Sequence, residues 1–335
     1  MSTALAPAPA TMDGGRPVTD TYRGRVVVFG PLKGKERQVA PAFAEVLGAR
    51  VIAVPGLDTD QFGTFTGGIP RLLNPPGAVR AKARLAIASS GLFALAGEAS
   101  YGPLPGIGWP RHYESLLFLD DTRGLEIGES HRSLGIPGSH MRATSNTDIA
   151  EKLAPTGWPG QAVIVRPAAL LTGQPAATAI TKGITSFGRL TTAIALAAAA
   201  SADGHALVEP DLRAHYNPSR QQVLIDLGVT LARRLAMACP ARAGPGYGPT
   251  HTQTGLPCAD CGVPSNQVSA DVLSCATCPY PHSVPRPEAN AKPVWGPNCT
   301  PCLFRTVLQR HEFGQHSPMQ PHQTPNPMER KSAHD

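Results

Sequence analysis

Every cysteine of this 335-residue chain lies between Cys239 and Cys302, and six of the seven form Cys-x-x-Cys pairs: Cys258/Cys261, Cys275/Cys278 and Cys299/Cys302. Two residues between thiols let both sulfurs turn onto one tetrahedral ion, so pairs of such pairs point to structural zinc. A disulfide framework needs an oxidising compartment and is disfavoured by an odd cysteine. Neighbouring pairs close most simply on each other, which predicts a full site from Cys275, Cys278, Cys299 and Cys302. Cys239, Cys258 and Cys261 are then left as a partial site, with His251 as a candidate fourth ligand and Asp260 a poorer one. One to two zinc ions per chain are expected.

The second set of chemistry-bearing residues is scattered. Lys35 and Glu36 follow an apolar run, as do Asp58, Asp60, Thr64 and Thr66, then Glu98, Asp120 and Asp121, and finally Asp211 and Arg213. Lys82 and Lys182 lie in or beside such segments. Asn217 and Arg220 stand at the start of the best-marked helical stretch. Carboxylates suit a hard cation such as magnesium, whereas lysine, arginine and Gly/Thr amides suit a phosphate. Asp60, Glu98 and Asp211 are therefore the catalytic candidates. Lys35, Glu36, Asp58, Thr64, Thr66, Lys182, Arg213, Asn217 and Arg220 are the ligand-binding ones. The competing reading is structural: Asx turns at Asp58 and Asp120, an Asp211–Arg213 pair, and a helix cap at Asn217. No phosphate loop of Walker type, dinucleotide fingerprint or nucleophile elbow is present.

The elements that must carry these residues read as α/β. Arg25–Phe29 is a short apolar strand; Val39, Phe43, Val46 and Leu47 recur at helical spacing; Arg50–Val54 is a second strand. Further strands are expected at Leu92–Ala96, Ser115–Leu119, Gln161–Arg166 and Ala206–Glu209. After Asn217-Pro218, the residues Val223, Leu227, Leu231 and Leu235 form an i, i+4 stripe. The expectation is a mostly parallel sheet flanked by helices over residues 21–238, with the polar segments meeting at its carboxyl edge. A zinc-ribbon-like module follows over 239–302. Residues 1–20 and 303–335, the latter rich in His, Gln and Pro, read as a loose arm and tail.

Composition narrows the partners. The formal charge is +6, but each four-thiolate zinc site would subtract two charges, and no long Lys/Arg run occurs. A nucleic-acid surface is thus not evident. The first residues lack a signal peptide's charged start and apolar core, and the apolar stretch Leu190–Ala202 is too short to span a bilayer. A soluble cytoplasmic protein with no membrane partner is expected; a protein partner is left unspecified.

The same residues carry a resemblance. GKE at Gly34–Glu36, GLDTDQFGTFTG at Gly56–Gly67, the run Lys82–Arg84 and GEASYGP at Gly97–Pro103 resemble a bacterial domain-of-unknown-function family, number 6671. So do Asn146, KGI at Lys182–Ile184, DLRAHYNPSR at Asp211–Arg220 and the paired cysteines. The resemblance spans Gly24 to Cys302 and implies an α/β domain followed by paired cysteines, with no established activity. This chain departs from the family pattern at Pro31 and Lys33 (Thr and His there), at Gly68 (a carboxylate), at Gly97 and Ala99 (a serine and a glycine), at Leu104 (a histidine) and at Arg242 (a cysteine). In order, though not in spacing, the N-terminal half is also similar to house-cleaning nucleoside-triphosphate pyrophosphatases, which use carboxylates and magnesium. Three readings follow. The first is a metal-assisted hydrolase for a nucleotide-like phosphate compound, or a degenerate relative of one. The second is a sensor binding such a ligand without turnover, and the third a zinc-ribbon module docking nucleic acid or a protein on an α/β scaffold.

Overall fold

The computed structural model describes residues 20–30, 34–63, 70–103, 108, 110–134, 140–144, 149–170, 179–286 and 299–302. The chain divides into two compact units, one from 1–248 with 274–280 and the other from 249–273 with 281–335.

The first unit opens on β1 (Val26–Gly30), whose VVVF run is β-branched and aromatic. It continues through α1 (Glu36–Leu47), β2 (Arg50–Ala53) and α2 (Pro75–Ser90). Helix α2 is set by its start: the Asn74 side chain accepts from the Gly77 amide, ahead of two prolines. Three longer strands follow, β3 (Phe93–Pro103), β4 (Pro110–Asp120) and β5 (Leu125–Leu134). Next come β6 (Met141–Ala143), α3 (Ile149–Leu153), β7 (Val163–Pro167), β8 (Thr181–Ile184), α4 (Phe187–Ala199), β9 (Ala206–Pro210) and α5 (Pro218–Ala236).

Two sheets result. The first has the order β2-β1-β3-β4-β5 and the second β6-β9-β7-β8. The α/β class stands, but the sheets are not mostly parallel. Only β1 runs parallel to its neighbours β2 and β3; β3, β4 and β5 form antiparallel ladders, and every pairing of the second sheet is antiparallel. The reason is connection length. Strands β4 and β5 are joined by a four-residue turn built on Asp120, too short for a crossover helix. The Asp120 carboxylate is buried and accepts from the Thr122 and Arg123 amides and from Tyr22 Oη, so it is a turn former.

Helices α1 and α5 pack on one face of the first sheet around Phe43, Leu95, Leu116, Phe118, Leu224 and Leu231. Helix α2 covers the other face with Val79 and Ala83 against Ala96, Leu117 and Leu119. Helix α4 lies on the second sheet through Leu190, Ala193 and Ile194.

The second unit carries a three-stranded sheet, β10 (Gly248–Thr254), β11 (Val268–Ser274) and β12 (His282–Pro285), in which β11 and β12 pair antiparallel. No helix among the described residues is long and apolar enough to cross a membrane.

Candidate functional site

Pairing of β1 with β3 ends at Gly30 and Ala96. Beyond that point β3 and β4 continue as a hairpin past the carboxyl end of β1, and this extension holds the charged residues. Register sorts them by face, because partners across a ladder share one. Glu98 pairs with Ser115, whereas Ala99 pairs with Glu114 and Tyr101 with His112. Glu98 therefore faces α2, while Glu114 and His112 lie on the same side as Leu116, toward α1 and α5.

On the α1/α5 side Glu114 is fully buried between two cations. Lys35 Nζ lies 3.3 Å from its Oε1, and the Arg220 guanidinium forks onto both carboxylate oxygens, with Nη2 to Oε1 at 3.1 Å. Lys35 also donates to the Gly97 carbonyl at 2.9 Å. A Cβ at residue 97 would stand 3.3 Å from that ammonium and 3.2 Å from Leu116 Cδ2, so a side chain there would press on the lysine. Arg220 donates further to the Leu212 carbonyl at 2.6 Å. His112 Nε2 sits 3.5 Å from Glu114 Oε2 and stacks on Tyr101 at 4.5 Å between centroids. Burial alone would raise the Glu114 carboxyl, but Lys35 and Arg220 outweigh it and hold it far below the usual range. Burial pulls the Lys35 ammonium down to about 8 against the opposing pull of Glu114. Burial likewise pushes the Tyr101 phenol up to about 12.

On the α2 side Glu98 is buried, ion-paired to Lys82 of α2 and 3.6 Å from Arg71. Arg71 also donates to the Ala99 carbonyl at 3.1 Å. One hairpin thus carries two carboxylates, one per face, held by four cationic side chains.

Of the residues singled out in the sequence, Lys35, Lys82, Glu98 and Arg220 meet at this hairpin. Asp211 and Arg213 instead pair with each other: Arg213 Nε and Nη2 reach the carboxylate at 2.9 and 2.6 Å, and the Gly183 and Arg213 amides complete its shell. Arg213 also lies over the Tyr216 ring at 4.7 Å. Asn217 caps α5, accepting from the Arg220 amide at 3.0 Å, and so helps to position Arg220. Asp58 is exposed just before the short helical turn at Asp60–Phe62, and its backbone carbonyl accepts from the Gln61 side chain. Glu36 lies in the first turn of α1, 3.8 Å from Arg37 through one oxygen, and its other oxygen has no hydrogen-bond partner among the described residues. Lys182 lies within β8 rather than in a loop that follows a strand. Asp60 begins a short helical turn, but its side chain lies outside the described residues, as do Thr64, Thr66 and the departures Pro31, Lys33, Gly68 and Leu104.

Glu114, His112 and Arg71 were missed. The signal was present for the first two: strand β4 starts at Pro110 rather than Ser115, and extending the alternation Phe118, Leu116 backwards puts Glu114 and His112 on the buried face.

The cysteines form two clusters, and their membership corrects the sequence expectation. Cys258, Cys261, Cys299 and Cys302 converge in the second unit; Cys239, Cys275 and Cys278 converge in the first. The four-cysteine site contains Cys258 and Cys261 in place of Cys275 and Cys278, and His251 belongs to neither cluster. No cysteine among them is in a disulfide. Sulfur separations of 3.7 Å for Cys258–Cys302 and 3.5 Å for Cys261–Cys299 suit the edges of a tetrahedron about 3.8 Å long, which thiolates about 2.3 Å from a zinc ion would form. Amides of Asp260 and Cys261 draw the Cys258 thiol down to about 7, whereas the neighbouring Cys261 thiol and burial push Cys302 up. The donor set therefore fits a soft or borderline divalent metal.

Fold and site together define an α/β protein with a buried charged hairpin and two cysteine centres able to hold a metal. The chain belongs to a family described as Domain of unknown function (DUF6671), which matches residues 82–301. Comparison with the curated proteins found no match. Among solved structures, a point variant of the PelC dodecamer from Paraburkholderia phytofirmans is 12% identical with a TM-score of 0.19, covering 42% of this chain and 96% of that one, too distant to carry any argument.

Proposed function

We propose that the protein binds a phosphate-bearing small molecule at the β3–β4 hairpin. The observation that carries this reading is the gathering of cations there: among the described residues Lys35, Arg71, Lys82 and Arg220 all engage the carboxylates of one hairpin, Glu98 and Glu114. Such a cluster attracts an anion, and lysine and arginine donors suit phosphate oxygens. Lys35 precedes α1 and Arg220 lies in the first turn of α5, so two helix starts add positive potential. Both carboxylates are engaged by cations, which favours ligand binding over a two-carboxylate hydrolytic centre. Magnesium enters this reading as the counter-ion of a polyphosphate.

Thermal unfolding of the full chain with phosphate, pyrophosphate and nucleoside triphosphates, with and without magnesium, tests it. A ligand at a hundredfold excess over its dissociation constant stabilises by about 2.7 kcal/mol. A specific rise in Tm that disappears in Arg71→Gln supports the proposal, since Arg71 is the most exposed of the four cations. No shift with any of these compounds sinks it.

The cysteine centres we assign to zinc in structural roles, in a zinc-ribbon-like arrangement. Their thiolate-only donor set and the tetrahedral spacing support that metal. Unoxidised paired thiols also suit the reducing cytoplasm, where we place the protein.

A further inference from the structure

Two loops share one backbone plan, nineteen residues apart. In the first, the Cys239 amide donates to the Gly244 carbonyl at 2.7 Å and the Ala243 amide to the Cys239 carbonyl at 2.7 Å. In the second, the Cys258 amide donates to Val263 at 2.9 Å and the Gly262 amide to Cys258 at 2.8 Å. Each loop is closed by an isolated bridge, Ala238 to Pro245 and Pro257 to Pro264. Gly262 has φ +71° and Ala243, without glycine's freedom, has φ +54°. The first loop therefore keeps the conformation of a metal-binding turn, and Arg242 stands where the second loop has its ligand Cys261.

Arginine has donors only and stays protonated, so Arg242 cannot ligate. Its guanidinium is exposed and donates to the Thr277 carbonyl at 3.3 Å, beside the Cys275 and Cys278 turn. Cys239 and Cys278 sulfurs are 3.7 Å apart, and Cys275 joins them. Among the described residues no other Cys, His, Asp or Glu joins this cluster. Three thiolates on a dication leave one negative charge, and Arg242 supplies a cation beside the Cys275/Cys278 turn.

We infer that a zinc ion at Cys239, Cys275 and Cys278 keeps its fourth coordination position open on the Arg242 side, where it takes a small anionic thiolate in exchange for water. In that exchange water leaves the metal, the entering thiol releases its proton to solvent, and the new sulfur–metal bond completes a tetrathiolate shell. Cys278 is only half-buried, so the position is reachable from solvent. Arg242 contributes the counter-charge and a fork for a carboxylate on the entering thiol. The inference rests on the zinc reading of both centres.

The full chain loaded with cobalt(II) and titrated with thioglycolate tests it. Expected are two cobalt ions per chain, a saturable shift of the visible d–d bands from one of them, and loss of that response in Arg242→Cys, which restores the fourth protein thiolate. Arg242→Gln should keep the response but require more thioglycolate. If wild type already shows two tetrathiolate-like or otherwise unresponsive centres, a protein group fills the position and the inference is overturned. If a single cobalt binds and Cys261→Ser removes it, the three-cysteine centre holds no metal, which overturns this inference and leaves the four-cysteine reading intact. Absence of any bound cobalt overturns both.

Discussion

Glu114 shows how a single buried carboxylate is settled by its neighbours. Its burial would favour the neutral acid, yet Lys35 and the fork of Arg220 reverse that and hold the carboxyl far below its usual value. A pKa lowered on folding means the unfolded chain binds more protons in acid. Its stabilising contribution is therefore complete above the ordinary carboxylate range and lost as pH falls through and below it. Glu114→Gln would leave two buried cations without a counter-charge, a loss of about 3–5 kcal/mol. Urea unfolding at neutral pH should show that loss, and the variant should lose less stability than wild type between neutral pH and about pH 3. Equal midpoints for the two proteins would mean that Lys35 and Arg220 are not buried as described. Asp211, read from the sequence as a catalytic candidate, is likewise engaged by its neighbours, with Arg213 and two amides donating to it.

Helix α5 was legible at its start and along its buried face, because that information is local. Asn217-Pro218 marks the start and an i, i+4 apolar stripe marks the buried face, with Leu227, Leu231 and Leu235 all buried. The β3–β4–β5 ladder was not, because Gly97, Glu98 and Gly102 look like a loop when read singly. Their place within a strand is decided by pairing with residues 110–120, which no local pattern records. The parallel-edge argument lost its topology with that strand, yet Lys35 and Glu98 still reached the same hairpin, on its opposite faces, because the hairpin overshoots β1. The cap of α5 also orients Arg220 toward Glu114, so element and site are coupled there. Asn217→Ala should cost about 1 kcal/mol by denaturant midpoint, whereas Asn217→Asp, which keeps the accepting oxygen at a helix start, should stay within a few tenths. Loss of similar size in both variants would show that the amide's other hydrogen bonds, not the cap, matter.

Across the whole molecule the cysteines interleave. In chain order the groups are Cys239, then 258/261, 275/278 and 299/302, and the first joins the third while the second joins the fourth. Spacing identified the ligands but cannot state such connectivity, since every pairing of Cys-x-x-Cys units has the same local geometry. The consequence is that each compact unit holds one centre of its own. The two units differ in how much they need it. The first has apolar cores on both faces of its large sheet. In the second, the buried apolar side chains among the described residues are Ala270, Val272 and Leu273 besides cysteines, and β10 is exposed along almost its whole length. So few buried apolar side chains among the described residues do not offset the entropy of ordering these strands, and structural zinc typically supplies about 10–16 kcal/mol to small modules. Chelation, or Cys261→Ser, should therefore abolish amide protection in β10, β11 and β12 while β1, β3 and β4 keep theirs. Hydrogen exchange read by mass spectrometry on the full chain measures both regions at once. Protection that persists in β11 after the metal is removed would show that the strands stand without it, and the four cysteines would then need a role other than holding this sheet together.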